Sequence, residues 1–168
     1  MPGSTHFASR VLMAICSVQA LLALGLPFAL EVNSDPITLV PFDGTEVWSG
    51  WSLARSSRLD GHRPVSTAFV IVLVAATVGL VILAWLALER PVRWPAAAVA
   101  VVGAALLVSS VPIGNAVNGT FGDGHVGTSS WGLAVWRVAL LLGVAAAVRA
   151  LFLAEAEAEA DAAALRRS

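Results

Sequence analysis

The sequence predicts an all-α membrane protein, a four-transmembrane-helix antiparallel bundle with a small β-hairpin-like outer loop. Three observations predict it. Of 168 residues, 58% are apolar and only 12% charged, against ~45–50% and ~25% in a soluble domain. The mean hydropathy is +0.82. The apolar residues gather in four runs, each long enough to approach the ~30 Å hydrocarbon core, which takes about 20 residues at ~1.5 Å each. In lipid every backbone N–H and C=O must be paired within the segment, so each run is expected to be helical.

The first run is residues 11–30, with Ser17 and Gln19 as its polar members. Gln19 is expected to hydrogen-bond a neighbouring helix. Pro27 should bend or end the helix near its outer side. The run exceeds the ~7–15-residue core of a secretory signal and no small-residue cleavage site follows, so it is expected to stay as an uncleaved span. Ile15 stands before Cys16 where lipid attachment needs a small residue, which leaves Cys16 as a buried small apolar side chain. One cysteine allows no intramolecular disulfide and no paired-thiol redox motif.

The loop 31–65 is the largest aqueous segment. Residues 37–42 and 45–53 are β-prone and are separated by Asp43-Gly44, a hairpin signal. Pro41 limits the first strand to an edge. A lone hairpin is marginal in water, so Trp48 and Trp51 are expected to pack on the bundle or on lipid headgroups. The alternative is that they present a partner-binding surface.

The second span, 66–88, has Thr77 as its only polar residue inside. A short turn over 89–93 leads to the third, 94–111, which is Ala-rich and is expected to end at Pro112. The loop 114–130 is rich in Gly and Asn and is expected to be mobile. Its Gly122-Asp123-Gly124-His125-Val126-Gly127 spells a dinucleotide fingerprint without the strand, helix and later acid that such a site needs. Asn118-Gly119-Thr120 forms a sequon without significance in a bacterial chain. Asp123 and His125 are too few ligands for a metal. The fourth span, 131–153, contains Arg137 and Arg149. The tail 154–168 alternates Ala with acids; alanine favours continued helix and the acids decorate all sides, so a solvated, end-frayed extension is expected.

Arginine placement sets the orientation. Arg10, Arg90, Arg93, Arg149, Arg166 and Arg167 fall on one side, against Arg55, Arg58 and Arg63 on the other. Both termini are therefore expected in the cytoplasm. Trp85 and Trp94 flank the inner turn and Trp131 marks the outer interface. Small residues recur four apart at Ala96, Ala100 and Ala104, at Ala139, Gly143 and Ala147, and at Ala75 and Gly79. Spans three and four are expected to pack on these stripes.

Arg137 lies about 9 Å below the outer interface at ~1.5 Å per residue. It is expected to snorkel outward or to pair with Glu31 or Asp35, or else to bind a ligand or lipid headgroup. No acid lies mid-span, so a proton-coupled antiporter lacks its carboxylate. His6, His62 and His125 lie outside the spans, which leaves no axial pair for haem. No catalytic constellation is visible, and neither enzyme activity nor a cofactor is expected. A net charge of −1 gives no nucleic-acid footprint.

All ten basic residues are Arg, a bias that suits a GC-rich bacterial genome. The chain resembles the small four-helix membrane proteins of GC-rich Gram-positive bacteria, a group of uncharacterised function. The resemblance is carried by Leu26-Pro27-Phe28, by Ser49-Gly50-Trp51-Ser52-Leu53, by Glu89-Arg90-Pro91-Val92-Arg93, and by Gly124-His125-Val126-Gly127 leading to Trp131-Gly132-Leu133. Phe28 stands where a Trp commonly follows the Leu-Pro pair, and the acidic tail is also a departure. The resemblance implies membrane location and fold, and no activity. The expected function is that of a structural or accessory protein of the bacterial plasma membrane, acting on a membrane-protein partner or on itself as a homo-oligomer. The alternative is a small transporter or lipid-binding protein that uses the outer mouth near Arg137. Trp48, Trp51 and Arg137 are the candidate interaction residues.

Overall fold

The computed structural model describes residues 3–32, 45–54, 67–89, 93–117, 120–121 and 125–166. Helix α1 covers Gly3–Ala23. Its end tightens: the N–H groups of Leu24, Gly25 and Leu26 donate to the carbonyls of Leu21, Leu22 and Ala23 at 3.2, 2.9 and 3.0 Å. Pro27 then stops it, because the residue before a proline is pushed out of the helical region and proline itself has no N–H. The first helix thus does not reach residue 30. The chain instead enters strand β1, Pro27–Val32.

Strand β2 is Thr45–Ser49 and runs into a single helical turn, α2, Gly50–Leu53. Helix α3 is Thr67–Glu89 and helix α4 is Arg93–Val117. Strands β3, Thr120–Phe121, and β4, His125–Ser129, follow, and helix α5 runs over Trp131–Leu165. Helices α3, α4 and α5 are long and apolar enough to cross a membrane; the apolar stretch of α1, Phe7–Ala23, is shorter. Pro112 does not end α4 as expected but lies inside it. A proline in an apolar helix removes one bond without ending it where the packing of neighbouring helices supports the turn.

The four long helices form a closed ring in which α5 packs on α1 and α4, and α3 packs on α4 and α1. The expected four-helix, antiparallel arrangement is present. The strands gather at one end in an antiparallel sheet of order β2-β1-β4-β3. Sequence reading missed this sheet. The strand after Asp43-Gly44 does form, but it pairs with β1, Leu30 opposite Val47. Its expected partner strand, residues 37–42, and the turn lie outside the described residues. The loop expected to be mobile supplies β3 and β4, and β1 pairs with β4 through Leu30 and Thr128. Two segments about 100 residues apart thus share one cap, a long-range pairing that no local pattern announces.

The core runs down the ring axis through Met13, Leu24, Leu80, Val99, Leu140 and Trp136, all under 3% exposed. Ser17 and Thr77 are buried with their hydroxyls donated to the carbonyls of Met13 and Leu73, at 2.9 and 2.8 Å. The small-residue stripes are used in part: α4 packs on α5 as expected, with Ala96, Ala139 and Ala147 buried. Gly143 faces Cys16 of α1, where an added Cβ would lie 3.4 Å from the cysteine Cβ. Helix α4 meets α5 at Gly103, whose added Cβ would strike Val144 Cγ2 at 2.6 Å. Ala104 and Ala75 are exposed, and an added Cβ at Gly79 would touch nothing within 4 Å. The tail continues α5 to Leu165, and from Glu155 onward its side chains are exposed wherever described.

Outward faces are apolar on every long helix. Leu22, Val72, Ile82, Val101, Val108 and Leu141 are each at least 57% exposed. Trp85 and Trp94 are exposed near one end of the ring, and Trp131 near the other. At the end away from the sheet, Arg93 Nη2 donates to the carbonyl of Ala154 at 2.8 Å, and Arg10 lies within electrostatic reach of Glu157.

Candidate functional site

The sheet end of the ring collects the three residues singled out by sequence. Arg137 stands on the second turn of α5, half-buried, and reaches across to α4. Its Nε donates to Ser110 Oγ at 2.9 Å and its Nη2 to the Ser110 carbonyl at 2.6 Å. The Ser110 hydroxyl in turn donates to the Leu107 carbonyl at 2.6 Å. Gly114, one turn further along α4, leaves room for the guanidinium, since a Cβ there would lie 2.7 Å from Nη2. Ser110 and Gly114 thus form a seat cut to the width of an arginine head.

The expected partner of Arg137 is Glu31 or Asp35. Asp35 and the Glu31 side chain lie outside the described residues, and the contacts Arg137 makes are with Ser110. A guanidinium carries five N–H donors. Two of them are used on Ser110, so the head is fixed in orientation while retaining donors for an anion.

The two tryptophans separate. Trp48, near the end of β2, is half-buried and packs on the core. Trp51 on α2 is 39% exposed. Its turn is held by a reciprocal capping box: Ser52 N–H donates to Ser49 Oγ at 3.1 Å, and Ser49 N–H to Ser52 Oγ at 2.7 Å. The Trp51 N–H donates to the Leu24 carbonyl at 3.3 Å, and Gly50 sits so close that a Cβ would meet Leu24 Cδ2 at 2.9 Å. Trp51 is an outward aromatic on a rigid mount.

No protein-family model, curated protein or solved structure matches the chain. What the site can do is therefore argued from its geometry. Among the described residues, no three His, Cys, Asp or Glu side chains gather as a metal site. Sequence reading did not single out Ser110 and Gly114. Their signal was a Ser-x-x-x-Gly spacing around Pro112 inside an apolar run. The same reading expected Gln19 to bond a neighbouring helix, yet Gln19 makes no hydrogen bond among the described residues and faces outward.

Proposed function

We propose that the chain is a multi-pass protein of the bacterial plasma membrane, akin to the small four-helix proteins it resembles, and that it acts as an accessory subunit through contacts with other membrane proteins. The observation that carries this is the apolar outer surface of the whole ring. Helices α3, α4 and α5 have mean hydropathies of 2.9, 2.2 and 2.0 over stretches no more than 33% buried. In water such a surface would be a large exposed patch; in lipid it is the solvent-facing side. The sheet lies on the outer side, and the end that carries Arg10, Arg93 and the acidic tail faces the cytoplasm.

Accessory action is supported by Trp51. An exposed aromatic on a braced turn loses little entropy on binding, and tryptophan is enriched among residues that dominate interface energies. Extraction of the full chain in mild detergent is expected to recover a stoichiometric membrane partner, and Trp51→Ala is expected to weaken that recovery roughly tenfold or more. Recovery of the same partner in the same yield from the Trp51→Ala chain would refute the role given to this residue.

Arg137 favours a second reading, a lipid or small-anion site at the outer mouth, because its fixed head retains unused donors. Arg137→Leu is then expected to remove co-purified anionic lipid while the chain still inserts. Unchanged lipid content, measured by mass spectrometry of the purified protein, would leave Arg137 as a pin between α4 and α5 only.

A further inference from the structure

The outer face of α1 carries a pattern that the single chain does not use. Leu12, Ile15, Gln19 and Leu22 are spaced three, four and three apart, and all four are exposed. The apolar members are 48%, 49% and 69% exposed. This is the a/d spacing of a two-helix seam, with the polar residue at one repeat position. The neighbouring stripe of α1, about 100° around the helix and running through Met13, Cys16, Ala20 and Ala23, is already buried in the ring. The helix therefore has two packing faces and one partner set.

Beside the exposed seam lies an open groove of about 500 Å³ between α1 and α5, lined by Gln19, Leu22 and Ala23 on one wall and by Ala134, Val138 and Leu142 on the other. Gln19 is the polar group in it. Its depth follows from the register of the two helices. Cys16 sits opposite Gly143, so Gln19 is level with about residue 140. That is nine residues from Trp131, or about 14 Å along the axis, close to the midplane of a ~30 Å core. A carboxamide there without a partner loses the hydrogen bonds it would make in water.

We propose that this groove seats a second copy of the same chain, with the two α1 helices parallel about a two-fold axis along the membrane normal and Gln19 facing Gln19. The inference rests on the membrane reading above. Two arguments select a second copy over another occupant. A carboxamide has both a donor and an acceptor, so it is its own complement across a two-fold axis, and copies inserted with one topology bring their α1 helices together in parallel. A single polar residue at an a position also fixes register and a two-stranded state in such seams. The small walls Ala23 and Ala134 let the partner helix approach closely.

The test uses the full chain in native membranes, with Cys16 first replaced by Ala so that no other thiol is present. Oxidative crosslinking of Leu22→Cys and of Ile15→Cys is expected to give a covalent dimer of this chain. Val101→Cys, exposed on α4 across the ring, is expected to remain monomeric. Adding Gln19→Leu to the Leu22→Cys chain should lower the dimer yield roughly tenfold, whereas Gln19→Asn, which keeps the carboxamide, should restore most of it. Absence of dimer at both positions 15 and 22, equal dimer at 101, or indifference to Gln19→Leu would overturn the proposal. A crosslink at 22 to a different polypeptide would also overturn it, while leaving the accessory function standing.

Discussion

Replacing Trp136 by alanine is expected to destabilise the protein by about 3–5 kcal/mol, the range for removing a large aromatic from a core. Trp136 is 1% exposed and stands where the ring meets the sheet. Its ring lies 6.0 Å from that of Phe28 on β1, tilted by 55°, a separation at which aromatic pairs gain beyond their buried area. Loss of the indole therefore both opens a cavity and frees β1 from α5. Trp136→Phe should behave very differently. The indole N–H is buried without an acceptor among the described residues, and an unpaired buried donor costs roughly 1–3 kcal/mol. Phenylalanine removes that donor and keeps most of the apolar body, so the two effects nearly cancel and a change within about 1 kcal/mol is expected. Thermal unfolding in detergent, followed by circular dichroism, separates the two variants. A Trp136→Phe chain as unstable as Trp136→Ala would show that the indole N–H has an acceptor.

The contrast between ring and cap explains what was legible in the sequence. Hydropathy alone placed α3, α4 and α5, because a run of some twenty apolar residues has few alternatives to a helix. The helical tail was legible from its alanine content instead. The end of α1 was misplaced because Phe28, Ala29 and Leu30 are as apolar as the helix before them, and only Gly25 and Pro27 mark the change to strand. The sheet was hidden for a different reason. Its central pairing joins β1 to β4, and their register is set by how the helices bring the two segments together. Local turn chemistry reports on neighbours in the chain, not on such partners. The same limit applied to Arg137. Topology suggested Glu31 and Asp35, which fall on side chains outside the described residues, and nothing local announced the Ser110 hydroxyl and carbonyl on α4. Ala104 and Ala75 show the converse error: small residues at the right spacing mark possible packing faces in an Ala-rich chain, and these two face outward while Ala96, Ala139, Gly143 and Ala147 are buried.

Gly132 should be the position least tolerant of a methyl group, and the reason is backbone rather than side chain. An added Cβ would lie 2.8 Å from the Pro27 carbonyl carbon and 2.9 Å from Leu26 Cβ, and closer still to the Pro27 oxygen. At Gly103 the obstacle is one side-chain methyl of Val144; at Gly132 it is the backbone of the first residue of β1, held in place by the Ser130 N–H donated to the Phe28 carbonyl at 2.8 Å. Relief would require α5 to lift from β1, which would also separate Trp136 from Phe28. Gly132→Ala is therefore expected to cost about 1–3 kcal/mol and Gly132→Val more, as for overpacked sites that cannot relax. Gly79→Ala gives the opposite sign. With open space around its Cβ position, a methyl group there only restricts the unfolded chain and should stabilise by roughly 0.4–1 kcal/mol. Measured side by side, the two melting temperatures should move apart in opposite directions from the parent. A Gly132→Ala chain that melts with the parent would mean that the start of α5 does not lie against β1.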